Sequence, residues 1–201
     1  MRKLLIATHN QGKIREYQTL LAGLPLTVTS LKAEGIDDDV EETGETFREN
    51  ACLKAETYAG MAGIWTWAED SGLEVAALAG RPGVYSARYA GPGATDRDRY
   101  EKLLDELRQS AERPWTARFR CVVAIALPNH EIYTVEETVE GVITDQPRGE
   151  HGFGYDPIFL LPELGKTMAE LPAEVKNQIS HRGKAAQKAK ALLLEKLAQA
   201  G

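Results

Sequence analysis

The 201 residues carry 24 Lys and Arg against 30 Asp and Glu, for a net charge of −6 and a pI near 5.4. Apolar residues at 43% and charged residues at 27% are the balance of a soluble globular chain and exclude a mainly disordered or fibrous one. The length suits one sizeable core or two small lobes, and the acidic balance argues against a nucleic-acid binder with a basic face, so an anionic ligand needs its cations gathered locally.

Cys52 and Cys121 lack CxxC spacing and are too few for a disulfide framework, which predicts two buried apolar thiols in a reduced cytoplasm. The start MRKLLIATHN is basic, but its apolar stretch runs only from Leu4 to Ala7, so it reads as a first strand and not as a signal peptide. No run approaches a membrane span.

Lys3 to Thr8 predicts a strand that ends in polar and glycine residues, and Ile14, Tyr17 and Leu21 stand at helical spacing from Lys13 onward. A second strand is expected around Leu26 to Thr29, followed by an acidic loop, Asp37 to Glu42. Thr46 with Glu49 forms a capping-box pattern that opens a helix to about Gly60. Ile64 to Glu69 reads as a buried strand stopped by Ser71 and Gly72, with Leu73 to Leu78 continuing the sheet after a turn.

Gly80, Pro82, Gly83, Gly91, Pro92 and Gly93 predict a loop, after which Thr95 and Asp98 start a helix that buries Tyr100, Leu103, Leu104 and Leu107. Phe119 to Leu127 and Ile132 to Thr144 read as a hairpin joined at Pro128, Asn129 and His130. Residues 145–167 are rich in glycine and proline and read as loop, and Gly183 to Gln199 predicts a final helix. The sum is an α/β chain, 1–201, with a mixed, twisted sheet and flanking helices in a single domain.

Thr8, Asn10 and Lys13 sit between a strand and a helix, where unpaired N–H groups and the positive end of the helix dipole favour phosphate. Gly12-Lys13 is no Walker A loop, because the earlier glycine is missing and Ile14 stands where Ser or Thr would bind Mg²⁺, so an ordinary polar loop remains the alternative. Asn50 and Lys54, four apart on one helix face, could reach an anion near the helix start, with ordinary solvated helix polarity as the alternative. Glu69 and Asp70 end an apolar strand, where a carboxylate can hold Mg²⁺ or activate water, and alternation lets only one of them point to a given face. One glutamate of the Glu41-Glu42 pair could complete a metal site with Asp70.

Gly152, Phe153, Gly154, Tyr155 and Asp156 set aromatics among glycines, which fits either stacking on a nucleobase or core anchoring. Lys176, Ser180, His181 and Arg182 form a donor-rich cluster before the last helix, suited to phosphate or a carbonyl oxygen. No HExxH or GxSxG pattern supports a zinc hydrolase or a serine esterase.

Together, ATHNQGK (7–13), EETGETFRENACLKA (41–55), AEDSGLEV (68–75), GRPGVYSARYAG (80–91), GFGYDPIF (152–159) and ISHRGKA (179–185) resemble the inosine triphosphate pyrophosphatase family, also called XTP/dITP diphosphatases, nearly end to end. The resemblance implies an elongated α/β protein with two lobes around a central cleft, usually a cytoplasmic homodimer, that cleaves ITP, dITP or XTP to the monophosphate and pyrophosphate with Mg²⁺. It implies that Thr8, His9, Asn10, Gln11, Gly12 and Lys13 form the triphosphate loop, with Lys54 and Lys176 as further contacts. It also implies that Glu41 and Asp70 hold the metal, that Asp70 and Lys13 are catalytic, and that Ser71, Phe153, Gly154, Tyr155, Asp156, Lys176, His181 and Arg182 bind the nucleotide. Many members have two aspartates in the acidic turn, where this chain has Glu69 first. The competing expectations are a Maf-like pyrophosphatase of other nucleotides and a nucleotide sensor without catalysis.

Overall fold

The computed structural model describes residues 2–199. Strand β1 (Lys3–Ile6) buries Leu4, Leu5 and Ile6 and pairs parallel with β2 (Thr27–Ser30), Lys3 opposite Thr27. It also pairs parallel with β3 (Trp65–Val75), Leu4 opposite Trp65. Parallel neighbours need long crossovers, and helices α1 (Gln11–Leu20) and α2 (Phe47–Ala62) lie in the two connections. Strands β4 (Thr116–Ala126) and β5 (Ile132–Ile143) follow, then antiparallel β6 (Phe159–Leu161) and β7 (Lys166–Thr167). The sheet order β2-β1-β3-β4-β5-β6-β7 is mixed, as the alternation of elements predicts.

The helix starts follow their sequence signals. Asn10 caps α1 by accepting from the Lys13 N–H, and Thr46 and Glu49 form a reciprocal capping box at α2. Thr95 and Asp98 do the same for α3 (Asp96–Arg108). Gly63 ends α2 in the left-handed conformation, φ +66°, its N–H on the Ala59 carbonyl. Helices α4 (Ala173–Ile179) and α5 (His181–Gln199) close the chain.

The chain divides into two compact units. The first, Met1–Asp70 with Cys121–Glu137 and Arg182–Gly201, packs Leu4, Tyr17, Leu21, Trp67, Val123, Ala189 and Leu193 into one core. The second, Ser71–Arg120 with Thr138–His181, packs Leu73, Leu103, Leu107, Phe119, Ile158, Phe159 and Met168 into another. Truncating such a fully buried leucine to alanine costs about 2–5 kcal/mol, so each core matters to its own unit.

Three elements differ from expectation. β3 runs unbroken through Ser71 and Gly72, where a turn was predicted, because the sequence beyond them returns to buried apolar residues and the Leu73 N–H donates to the Ser86 hydroxyl at 2.9 Å. Segment 145–167, predicted as loop, contains β6 and β7. Helix α4 was not predicted: it has seven residues, too few for a periodic apolar stripe. The hairpin turn is as predicted, with the Leu127 N–H on the Glu131 carbonyl at 2.9 Å and His130 at φ +69°. Of the two free cysteines, Cys121 is buried and Cys52 only partly so. No helix among the described residues is long and apolar enough to cross a membrane.

Candidate active site

In the first unit, the alternation of β3 sends Glu69 and Asp70 to different neighbours. Glu69, 2% exposed, accepts from Arg182 Nε and Nη2, both at 2.8 Å, in a two-pronged pair. The Tyr17 hydroxyl donates to the same carboxylate, and Lys13 Nζ lies 3.0 Å from its Oε1. Arg182 reaches Glu16 at 2.8 Å with its remaining arm. Burial works to raise the Glu69 carboxyl, but the charges of Arg182 and Lys13 and the hydrogen bonds from Arg182 and Tyr17 hold it well below the usual carboxylate range.

Asp70 faces α2. The buried stripe of that helix includes Phe47, Ala51, Ala55 and Tyr58, and it also includes Asn50 and Lys54 at the same helical spacing. Two polar residues on a stripe that periodicity reserves for apolar ones point to a site. Asn50 Nδ2 donates to Asp70 Oδ2 at 3.1 Å, while its Oδ1 accepts the Gly44 N–H at 2.8 Å. One amide therefore ties the acidic loop to Asp70. A Cβ at Gly44 would stand 2.7 Å from Asn50 Oδ1, so this approach requires glycine.

Lys54 bonds Glu42 and lies 3.5 Å from Asp70 Oδ1. Burial opposes its charge, yet Asp70 and Glu42 raise the Lys54 pKa. Asp70 itself is pushed up, by burial first, against the charges of Lys54 and Lys13 and with that of Glu42 adding to the rise. A carboxyl raised in this way is a better proton acceptor than its exposed counterpart. The acidic loop is held in turn by α2 and by His9: Tyr58 donates to the Asp38 carbonyl at 3.1 Å, and His9 Nε2 lies 3.3 Å from the same oxygen.

In the second unit, Lys176 and Asp156 form a buried ion pair at 2.5 Å, their side chains 5% and 4% exposed. The same Asp156 oxygen accepts the Phe153 N–H at 2.9 Å, and the Lys176 ammonium lies 4.9 Å from the Phe153 ring centre. His181 stacks on Phe119 with ring centres 4.7 Å apart. The Tyr155 hydroxyl donates to the Ser86 carbonyl at 2.9 Å, so its ring anchors the core and the backbone beside it carries the Phe153 ring.

Residues 4–192 match the Ham1 family. The chain belongs to that family. It is 49% identical over 193 residues to the dITP/XTP pyrophosphatase of Bacillus subtilis, covering 96% of this chain and 98% of that one. It is 50% identical over 185 residues to the dITP/XTP pyrophosphatase of Geobacter sulfurreducens, covering 92% and 93%. A HAM1 protein from Coxiella burnetii superposes with a TM-score of 0.90 at 41% identity, covering 97% of this chain and all of that one. The Staphylococcus aureus Ham1 protein superposes with a TM-score of 0.86 at 45% identity over the same shares.

Within this Ham1 family chain, Lys13, Lys54, Asp70 and Arg182 meet in the first unit through Glu69, Glu42 and Asn50. Thr8 and Asn10 shape the loop between β1 and α1, the Thr8 hydroxyl accepting the Asn10 N–H at 3.1 Å and Asn10 capping α1, while Gln11 and Gly12 form the first turn of that helix. Glu41 is exposed, and its neighbour Glu42 is the one brought to Lys54. Phe153, Asp156 and Lys176 meet in the second unit, with Gly154 between the aromatics and Ser71 part-buried in β3. Glu16 and the Tyr17 hydroxyl carried no functional signal, since their partners lie far along the chain; Asn50 was marked by its spacing from Lys54, and Glu42 as one of the Glu41-Glu42 pair.

Gly152 tests the second cluster. Its φ is +77°, and a Cβ there would collide with the Asp156 carboxylate and stand 3.1 Å from Lys176 Nζ. Gly152→Ala is expected to break the ion pair and weaken binding of an ITP analogue by about tenfold or more, read by calorimetry. Unchanged affinity would remove this cluster from nucleotide binding.

Proposed function

We propose that this chain hydrolyses nucleoside triphosphates with deaminated purine bases, ITP, dITP and XTP, to the monophosphate and pyrophosphate, and so clears them from the nucleotide pool. The observation that carries the mechanism is the placement of Asp70, 3.5 Å from Lys54 Nζ and fixed by the Asn50 amide at 3.1 Å. The near full-length likeness to dITP/XTP pyrophosphatases supports the substrate class.

The oxygen donors fit a hard divalent cation. Among the described residues no three such side chains cluster, but magnesium takes few protein carboxylates alongside phosphate and water, and Asp70 with Glu41, the pair the family resemblance implies, would hold it. The cation would neutralise charge on the phosphate oxygens. Lys13 and Lys54 bind the triphosphate and stabilise the charge that builds on departing pyrophosphate. Asp70, whose basicity a bound cation would lower, orients the water that attacks the α-phosphorus. Their pairing with Glu69 and Glu42 holds both lysines in place.

In the second unit, Phe153 stacks on the base, while donors from His181 and Lys176 meet the 6-oxo group that separates hypoxanthine and xanthine from adenine. Arg182 is engaged by Glu69 and Glu16. The chain is read as one functional domain, in a cytoplasmic homodimer, as the family resemblance implies; sedimentation equilibrium checks the dimer.

Pyrophosphate release from ITP, XTP, dITP, GTP, ATP, UTP and TTP, with and without Mg²⁺, is the decisive assay. The expected outcome is kcat/KM at least about 10²-fold higher for the deaminated purines, and loss of turnover on chelation. Equal rates on all seven would overturn the assignment, and a preference for UTP or TTP would favour a Maf-like enzyme.

A further inference from the structure

The segment 153–155 is pinned at each residue. Phe153 is held through its N–H by Asp156 and Tyr155 through its hydroxyl by Ser86. The third anchor comes from α3: Asp96 Oδ2 accepts the Gly154 N–H at 2.7 Å. Gly154 sits at φ +65° with open space where a Cβ would be, so its glycine answers to backbone conformation and not to crowding. A peptide with such freedom on one side needs an outside hold to keep one orientation.

Asp96 is free to serve as that hold because the start of α3 is capped without it. Thr95 and Asp98 complete the reciprocal box, and the Asp98 carboxylate takes the Thr95 N–H at 2.7 Å. The second oxygen of Asp96 is fixed by Arg99 Nη1 at 2.6 Å, and Arg99 Nη2 is itself fixed on the Ala94 carbonyl at 2.7 Å. The result is an oriented carboxylate aimed at one N–H, and a charge-assisted bond of this kind is roughly twice as strong as a neutral one.

We propose that Asp96, held by Arg99, is a positioning residue for base recognition: it fixes the peptide between Phe153 and Tyr155 and so sets where the Phe153 ring stands. The inference rests on the reading of Phe153 as the base-stacking residue. It predicts an effect on nucleotide binding through the base and none on the phosphate end.

Steady-state kinetics with ITP, together with product inhibition by pyrophosphate, which has no base, tests this. Asp96→Ala is expected to raise KM for ITP about tenfold with kcat nearly unchanged and pyrophosphate inhibition unaltered. Asp96→Asn, which retains an acceptor for the Gly154 N–H, restores most of the KM. Asp96→Glu keeps the charge at the start of α3 but displaces the oxygen, and it raises KM; it carries the test should the alanine variant fold poorly. Arg97→Ala, on an exposed ion pair with Glu101, changes nothing. Unchanged KM in both Asp96→Ala and Asp96→Glu, or pyrophosphate inhibition weakening in step with KM, overturns the proposal. An Asn variant as impaired as the Ala variant does so too. Phe153→Ala separates the two readings: if it leaves KM for ITP unchanged, base stacking itself fails, whereas a raised KM in Phe153→Ala beside a normal Asp96→Ala removes Asp96 alone.

Discussion

Asp70→Asn lowers pyrophosphate release from ITP by about 10³-fold at saturating Mg²⁺, and at the same time raises the melting temperature of the metal-free protein by about 2–4 °C for each kcal/mol relieved. Both effects have one cause. Burial pushes the Asp70 carboxyl up despite Lys54 and Lys13, so the charged form costs stability at neutral pH. The sign is that of an acid with a raised folded value: the cost is complete above the folded value and fades as pH falls from there to the unfolded value, about 3.9. A neutral amide of the same shape removes the cost and also the proton acceptor. This trade of stability against activity is common at active sites. Kinetics with ITP and melting without metal read the two halves separately, and near-normal turnover would exclude Asp70 from the chemistry.

Arg182→Ala is expected to act in the opposite direction on the neighbouring residue. Glu69 and Arg182 are both nearly inaccessible, and removing the arginine takes the two-pronged partner from a buried carboxylate whose remaining neighbours include Lys13, Tyr17 and Cys121. The loss is about 3–5 kcal/mol of folding stability, read by urea denaturation. Combining Glu69→Gln with Arg182→Met should recover part of it, because the cost lies in the unpaired charge and not in the missing pair. The wild-type acid limb carries the same signature. The folded Glu69 value is depressed, so its contribution is complete above the unfolded value of about 4.3 and is lost as pH falls below it toward the folded value. Glu69→Gln flattens that part of the curve. A loss under about 1 kcal/mol for Arg182→Ala would mean that the pair behaves like a surface ion pair.

Local chemistry was legible in the sequence wherever partner residues lie within one turn. The Thr46-Glu49 and Thr95-Asp98 boxes and the Asn50-Lys54 face depend on spacings of three and four, and all three are realised. Ser71-Gly72 misled because that pair favours turns, yet apolar residues on both sides keep the strand in register and Ser86, from a distant segment, supplies a bond to Leu73. Helix α4 and strands β6 and β7 are too short for periodicity to detect. At the site, the divergence of Glu69 and Asp70 followed from strand alternation. Which of Glu41 and Glu42 turns inward did not, since a loop has no fixed period. The Glu16-Arg182 contact spans 166 positions and leaves no local trace.

The run of β3 from Trp65 to Val75 has a consequence for how such a chain can diverge. Substitution at 69 or 70 changes one neighbourhood at a time, but deleting or inserting a single residue upstream in the strand exchanges the two sides, sending the Asp70 carboxylate toward Arg182 and that of Glu69 toward Lys54. Length changes should therefore be tolerated at the 128–131 turn, where no such alternation is at stake, and forbidden between 65 and 70, so that gaps in comparisons of related chains fall outside this stretch.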